Sequence, residues 1–216
     1  MRTRSSLASR SGSSARGRPR LGRHRAVLSR RAFLAAAAAW AAGSIRWAGA
    51  QEGRFLTEEE APRAVFPEAT EVIWRRVAAS PELREAMRAS LGRTRPSIWQ
   101  PEYRLAEVRR AGDLLGYAVI VEEIGKHRPI TFVVGVGRDG AVADVAVMAY
   151  REAYGGEVRE RRFLAQYHGK GLGHPMLPFR DIRNLSGATL SAEAIGRGVR
   201  KALALLAALG LPVESP

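Results

Sequence analysis

Three features of this 216-residue sequence predict an α+β fold, an antiparallel meander of about four or more strands with helices packed against it. From Tyr103 onward the hydrophobic period changes from about 3.6 residues to about 2, the signature of strands. The segments joining those strands are a few residues long, whereas parallel neighbours need a crossover of a dozen or more. Helical patterns stand before and after the alternating stretch, ready to cover the sheet.

The elements follow in order. Thr57 to Glu60 is acidic and resembles a first helical turn, and Glu68 to Ala79 (EATEVIWRRVAA) places Val72, Ile73, Arg76 and Val77 at helical spacing. Ser80-Pro81-Glu82 opens a second helix with a cap, a Pro at the first position and an acid in the first turn; it stops at Gly92. Strands are expected at Tyr103 to Arg110, Leu114 to Glu122, Ile130 to Val136 and Ala141 to Tyr150. Between them lie the turns Ala111-Gly112-Asp113, Gly125 to Pro129 and Gly137-Arg138-Asp139-Gly140, the last a strong hairpin signal. Glu157 to Gln166 reads as a short helix, Tyr167 to Arg180 as a Gly/Pro/His loop, and Ser191 to Gly210 as a final amphipathic helix capped by Ser191.

A cleavable signal segment is expected ahead of this fold. Residues 1–50 contain eleven Arg and no acid, and Met1 to Leu28 has too little apolar surface to order itself. Ser29-Arg30-Arg31-Ala32-Phe33-Leu34 matches the S-R-R-x-F-L pattern of a twin-arginine export signal. The apolar run Phe33 to Ile45 is too short to span a bilayer, and Ala48-Gly49-Ala50 supplies small residues for cleavage. Passage through a twin-arginine translocase, across a bacterial inner membrane, is therefore expected, to a periplasmic or membrane-associated location. The mature chain then divides into a helical segment, 51–98, and a sheet-bearing domain, 99–212.

Charge and cysteine content narrow the function. The formal charge of +14 comes mostly from the arm; from Gln51 onward 24 bases face 21 acids, about +3, which is no nucleic-acid footprint. The absence of Cys excludes disulfides, thiolate metal sites, Fe–S clusters and c-type haem. His168 and His174 flank a glycine-rich loop without a third ligand at metal spacing, so no metal is expected. No nucleophile–base set or carboxylate pair is present, no G-x-G-x-x-G opens a nucleotide-binding helix, and Trp74, Trp99, Tyr103 and Phe132 read as core or edge aromatics.

One stretch remains, Ser186-Gly187-Ala188-Thr189-Leu190-Ser191, running directly into the last helix. It fits a plain capped loop. It equally fits an anion site, because a helix N-terminus offers free N–H groups and a positive dipole end, with the Thr189 hydroxyl just ahead of it. The residues alone leave both readings open.

S-G-A-T-L-S before an amphipathic helix resembles the hallmark of the FMN-binding domain family, which includes the flavin-carrying subunits of the sodium-pumping NADH:quinone reductase and of the Rnf complex. The similarity extends through Leu115 to Val119, the PITFVVGVGRDG hairpin, Tyr150-Arg151-Glu152 with Gly155-Gly156, and Phe163 to Lys170, covering roughly Gly112 to Leu206. The resemblance implies FMN joined to Thr189 as a phosphoester by a periplasmic flavin transferase. Ser186, Gly187, Ala188, Leu190 and Ser191 would shape the phosphate loop, Glu152, Gly155 and Gly156 would border the flavin ring, and Lys170 would contact phosphate or flavin. It also implies electron exchange with a membrane electron-transfer protein rather than enzymatic turnover; a non-redox FMN-binding sensory or assembly module is the competing expectation. The chain departs from the family pattern in two places. Arg183 stands where an acid is usual, with Asp181 the nearest acid, and Glu152-Ala153-Tyr154-Gly155 stands in place of E-T-P-G.

Overall fold

A computed structural model describes residues 53–211; the expected basic arm and signal segment lie outside them. Strand β1 (Gly53–Arg54) is followed by α1 (Ala61–Val65), β2 (Glu71–Ala78), α2 (Pro81–Leu91), β3 (Glu102–Arg110), β4 (Asp113–Ile124), β5 (Pro129–Gly137) and β6 (Val142–Tyr150). Two 3-10 turns (Gly156–Arg159 and Ala165–Tyr167) flank the four-residue helix α3 (Arg161–Leu164), and α4 (Thr189–Ala208) ends the described chain. The six strands form one sheet in the order β1-β6-β5-β4-β3-β2, every pair antiparallel. The fold is α+β, as the sequence predicts, with two strands more than the four located there.

Alternation along the strands separates two cores. Tyr103, Leu105, Val119, Val121, Phe132 and Val134 face one side, where Ile195, Val199, Ala202, Leu203 and Leu206 of α4 and Met87 and Leu91 of α2 cover them. Ala106, Val108, Ala118, Ile120 and Val133 face the other, under Ala61 and Val65 of α1 and Phe66 beyond it. Both faces of β3, β4 and β5 are thus buried, which is why these strands read as nearly continuous apolar runs.

The expected helix over Glu68 to Ala79 is instead β2. Val72, Ile73 and Val77 are β-branched, and all eight residues pair with β3, from Glu71 opposite Arg109 to Ala78 opposite Glu102. Ion pairs of Arg75 with Glu107 (3.2 Å) and Arg76 with Glu102 (3.1 Å) bind the edge across the ladder. The segment expected to be helical therefore contributes two strands as well as two helices. The short helix expected over Glu157 to Gln166 is broken at Glu160, whose extended backbone (φ −66°, ψ 135°) separates a 3-10 turn from α3. By contrast α2 opens as its sequence indicates, with Ser80 Oγ accepting from Leu83 N (3.2 Å) and Pro81 in first place.

One interaction under α4 is invisible to hydrophobic patterning. Lys201 and Glu123 are both fully buried, Nζ to Oε1 2.7 Å. Lys201 also donates to the carbonyls of Ile98 (2.9 Å) and Glu122 (2.6 Å), while Glu123 Oε2 accepts from Ser97 N (2.8 Å) and Ser97 Oγ (2.6 Å). Burial pushes the Lys201 ammonium below its ordinary value, and the Glu123 charge beside it opposes that shift. Removing one member strands the other. K201M should lower unfolding free energy by about 3 kcal/mol, the low end for a broken buried pair because Arg197 stays 3.5 Å from Glu123. Adding E123Q to K201M should restore part of that loss, and urea denaturation of both variants checks it.

Candidate functional site

Helix α4 begins two residues earlier than its sequence suggests. Ala188 is the N-cap, because its carbonyl accepts the first intrahelical bond, from Ala192 N at 2.9 Å, and no side chain caps the end. Thr189 is therefore the first helical residue, not a loop residue ahead of a Ser191 cap. Ser191 is instead buried and hydrogen-bonded to Tyr150 (3.0 Å). The three amide N–H groups of 189, 190 and 191 are left without intrahelical acceptors, and no acid lies in the first turn to occupy them. Before them Gly187 turns the chain with φ +80°, a conformation that favours glycine.

Three chain segments converge on this helix end around a cavity of about 590 Å³. Lys126 and His127 come from the β4–β5 turn, residues 152–154 from the exit of β6, and residues 187–191 from the start of α4. The volume is in the range of small-molecule and cofactor sites. Tyr154 stands at the wall with 85% of its surface exposed, and Leu190 is half exposed.

Tyr150 holds two of the segments together. Its hydroxyl donates to the Tyr154 carbonyl at 2.5 Å, so its single proton is committed and Ser191 Oγ must be the donor in the 3.0 Å contact between them. Burial raises the Tyr150 pKa, and the Ser191 bond only partly offsets this, so the proton stays in place at neutral pH. Gly155, with φ +80°, lies behind: a Cβ there would stand 3.0 Å from Tyr150 Oη and 3.3 Å from Ala188. Glu152 ties the third segment in, Oε1 accepting from His127 N (2.5 Å) and Arg128 N (2.9 Å). Burial pushes the Glu152 carboxyl up, but backbone donors from Arg128, His127 and Lys126 together outweigh it, so its pKa falls below the ordinary value.

The expected site residues thus separate. Gly187, Ala188, Thr189, Leu190, Ser191 and Glu152 line the cavity. Ser186 is exposed beside it, Gly155 supports it from behind, and Gly156 belongs to an adjoining surface with Glu157 and Arg159. Lys170, expected to contact phosphate or flavin, is off the cavity, its Nζ 3.1 Å from Asp181. Asp181 also accepts from the backbone N–H of Met176 (3.1 Å) and Leu177 (2.9 Å). Burial raises its pKa, yet these donors and the Lys170 charge outweigh that and leave it lowered. His168 Nδ1 meets the Ala143 carbonyl (2.7 Å), and His174 Nδ1 accepts from Gly171 N (3.1 Å).

Sequence reasoning missed Lys126, His127, Tyr150 and Tyr154, which reach the site only through the fold. It also missed Asn184, whose Nδ2 donates to Thr189 Oγ1 at 3.0 Å. A polar Asn five residues before the Thr is the one local signal that was available.

Two measurements follow from these contacts. Y150F leaves a carbonyl and a buried hydroxyl without their partner, so the urea midpoint should fall by the equivalent of about 1–3 kcal/mol with an unchanged m-value. A lowered pKa means that Asp181 adds stability above its unfolded-state value, near the ordinary 3.8, and loses it as pH falls through the folded-state value. Urea midpoints of wild type and D181N should therefore differ most near neutral pH and converge in acid.

Residues 125–204 match the model of the FMN-binding domain family, which indicates FMN as the cofactor. The matched segment contains all three chain segments that line the cavity. No curated protein matches the chain.

Proposed function

We propose that this chain is an exported flavoprotein that carries electrons to and from a membrane redox partner, with FMN held phosphate-first at the N-terminus of α4 and joined through a phosphoester to Thr189. One observation carries the reading: residues 189–191, whose backbone N–H groups have no helical acceptors, line a cavity of about 590 Å³ within the segment that matches an FMN-binding domain. The cavity's residues fit an anionic cofactor. Phosphate oxygens find donors at 189–191 and the positive end of a 20-residue helix, and Lys126 adds a cation to the lining. The one carboxylate in the wall, Glu152, has Oε1 engaged by backbone N–H groups of the β4–β5 turn.

FMN, when bound, supplies a reversible electron couple that the amino acids lack. The chain's part is to anchor the phosphate through Thr189 and the helix end, and to hold the β4–β5 turn and the 152–154 segment as walls through Glu152 and Tyr150. Tyr154 and Leu190, both exposed, leave the cavity mouth apolar, which suits a flat aromatic ring and a docking electron partner. Export rests on the S-R-R-x-F-L motif, its apolar run and its small-residue site. Attachment at Thr189 calls for a flavin transferase as a second partner, and the translocase is the third.

Mass spectrometry after co-expression with a flavin transferase tests the proposal. The Thr189 peptide should gain the mass of one FMN less one water, and flavin fluorescence should persist after denaturation. T189V should lose the denaturation-resistant flavin entirely. Colour that is released on denaturation of the wild type would overturn the covalent link alone, and a colourless native protein would overturn flavin carriage.

A further inference from the structure

Asn184, just ahead of α4, is a polar group that the proposed function does not use. Its Nδ2 donates to Thr189 Oγ1 at 3.0 Å, while its Oδ1 is closed off from solvent and has no hydrogen-bond donor among the described residues. The carboxamide thus presents its donor end to Thr189. Asn184 does not line the cavity but Thr189 does, so whatever Asn184 does at the cavity it does through Thr189.

We propose that Asn184 is a positioning residue for the FMN phosphate before the phosphoester forms, setting the direction in which the still-free Thr189 hydroxyl proton points. This rests on the FMN reading of the cavity above. A Thr hydroxyl has one proton and two lone pairs. With a lone pair receiving the Asn184 N–H, the proton is free to turn to the cavity, where it donates to a phosphate oxygen in a charge-assisted bond. Turning the carboxamide end for end would give Oδ1 the Thr189 proton, and the Thr189 hydroxyl would then offer an anion only lone pairs, which repel it. The observed orientation leaves Oδ1 unpaired and keeps Thr189 a donor. It also does so with a neutral group, so no negative charge is set behind the phosphate.

The test titrates the full-length chain, produced without a flavin transferase, with FMN and with riboflavin, which lacks the phosphate. N184A and N184D should weaken FMN about tenfold, the scale of one hydrogen bond to a charged group, and riboflavin less than twofold. T189V should weaken FMN similarly and make N184A silent on its background. Acid should restore FMN affinity to N184D relative to wild type, because the introduced carboxyl, once protonated, donates as the amide did. The wild type shares Lys126, His127 and Glu152 around the cavity and so controls for their titration. If N184A does not fold, the near-isosteric N184D and its pH profile decide. Unchanged FMN affinity in the variants, or equal weakening of both flavins, overturns the role of Asn184 and leaves the FMN reading standing. A wild type that binds neither flavin overturns that reading, and this inference with it.

Discussion

The position of α4 depends on the ion pair between Lys201 and Glu123, from which water is excluded. A buried pair of this kind is weak grounds for high stability, since desolvating two charges cancels much of their attraction. Its consequence is register. An otherwise apolar helix such as KALALLAAL could slide or rotate over an apolar sheet at little cost. A lysine that must meet Glu123 and the carbonyls of Ile98 and Glu122 removes that freedom. Thr189 lies twelve residues away, about 18 Å along the axis at the helical rise. Rotation at Lys201 would therefore carry the helix N-terminus away from the cavity. The bond between Ser191 and Tyr150 fixes that second point, so α4 is held at both ends of its reach.

What the helix end lacks is as informative as what it has. Ser186, Thr189 and Ser191 all lie within a turn of Ala188, yet none caps it. An alanine N-cap costs about 1 kcal/mol relative to a serine, threonine or aspartate. The hydroxyls are directed elsewhere, Ser191 to Tyr150 and Thr189 to Asn184, and the first-turn N–H groups stay open. Local stability is given up in a place where an anionic ligand would return it.

Much of the fold was legible because it rests on local rules. The Ser80-Pro81 start of α2, the 137–140 hairpin and the four alternating strands each follow from a few neighbouring residues. β2 was not, because Val72 with Arg76 and Ile73 with Val77 also satisfy a helical period, and only its partner β3 decides the matter. The site divides the same way. Thr189 and its neighbours were visible as a motif, while Lys126 and Tyr154 come to the cavity from turns more than 30 residues upstream. For Lys201, nothing in its own neighbourhood announces Glu123 beneath it.

The displaced acid has a structural task of its own. Asp181 sits two residues before Arg183 and is engaged in the loop ahead of the motif, holding Lys170 and the N–H groups of Met176 and Leu177. Arg183 is exposed, and its own backbone N–H is held by Gln166 Oε1 at 2.7 Å. The side chain that reaches Thr189 is therefore neither the aspartate nor the arginine but the neutral Asn184. An acid in that place would set a negative charge one hydroxyl away from an incoming phosphate. With no acid in the first turn of α4, with Glu152 engaged by the β4–β5 turn and with an amide behind Thr189, the groups facing the cavity at this end are donors, and the field there favours an anion.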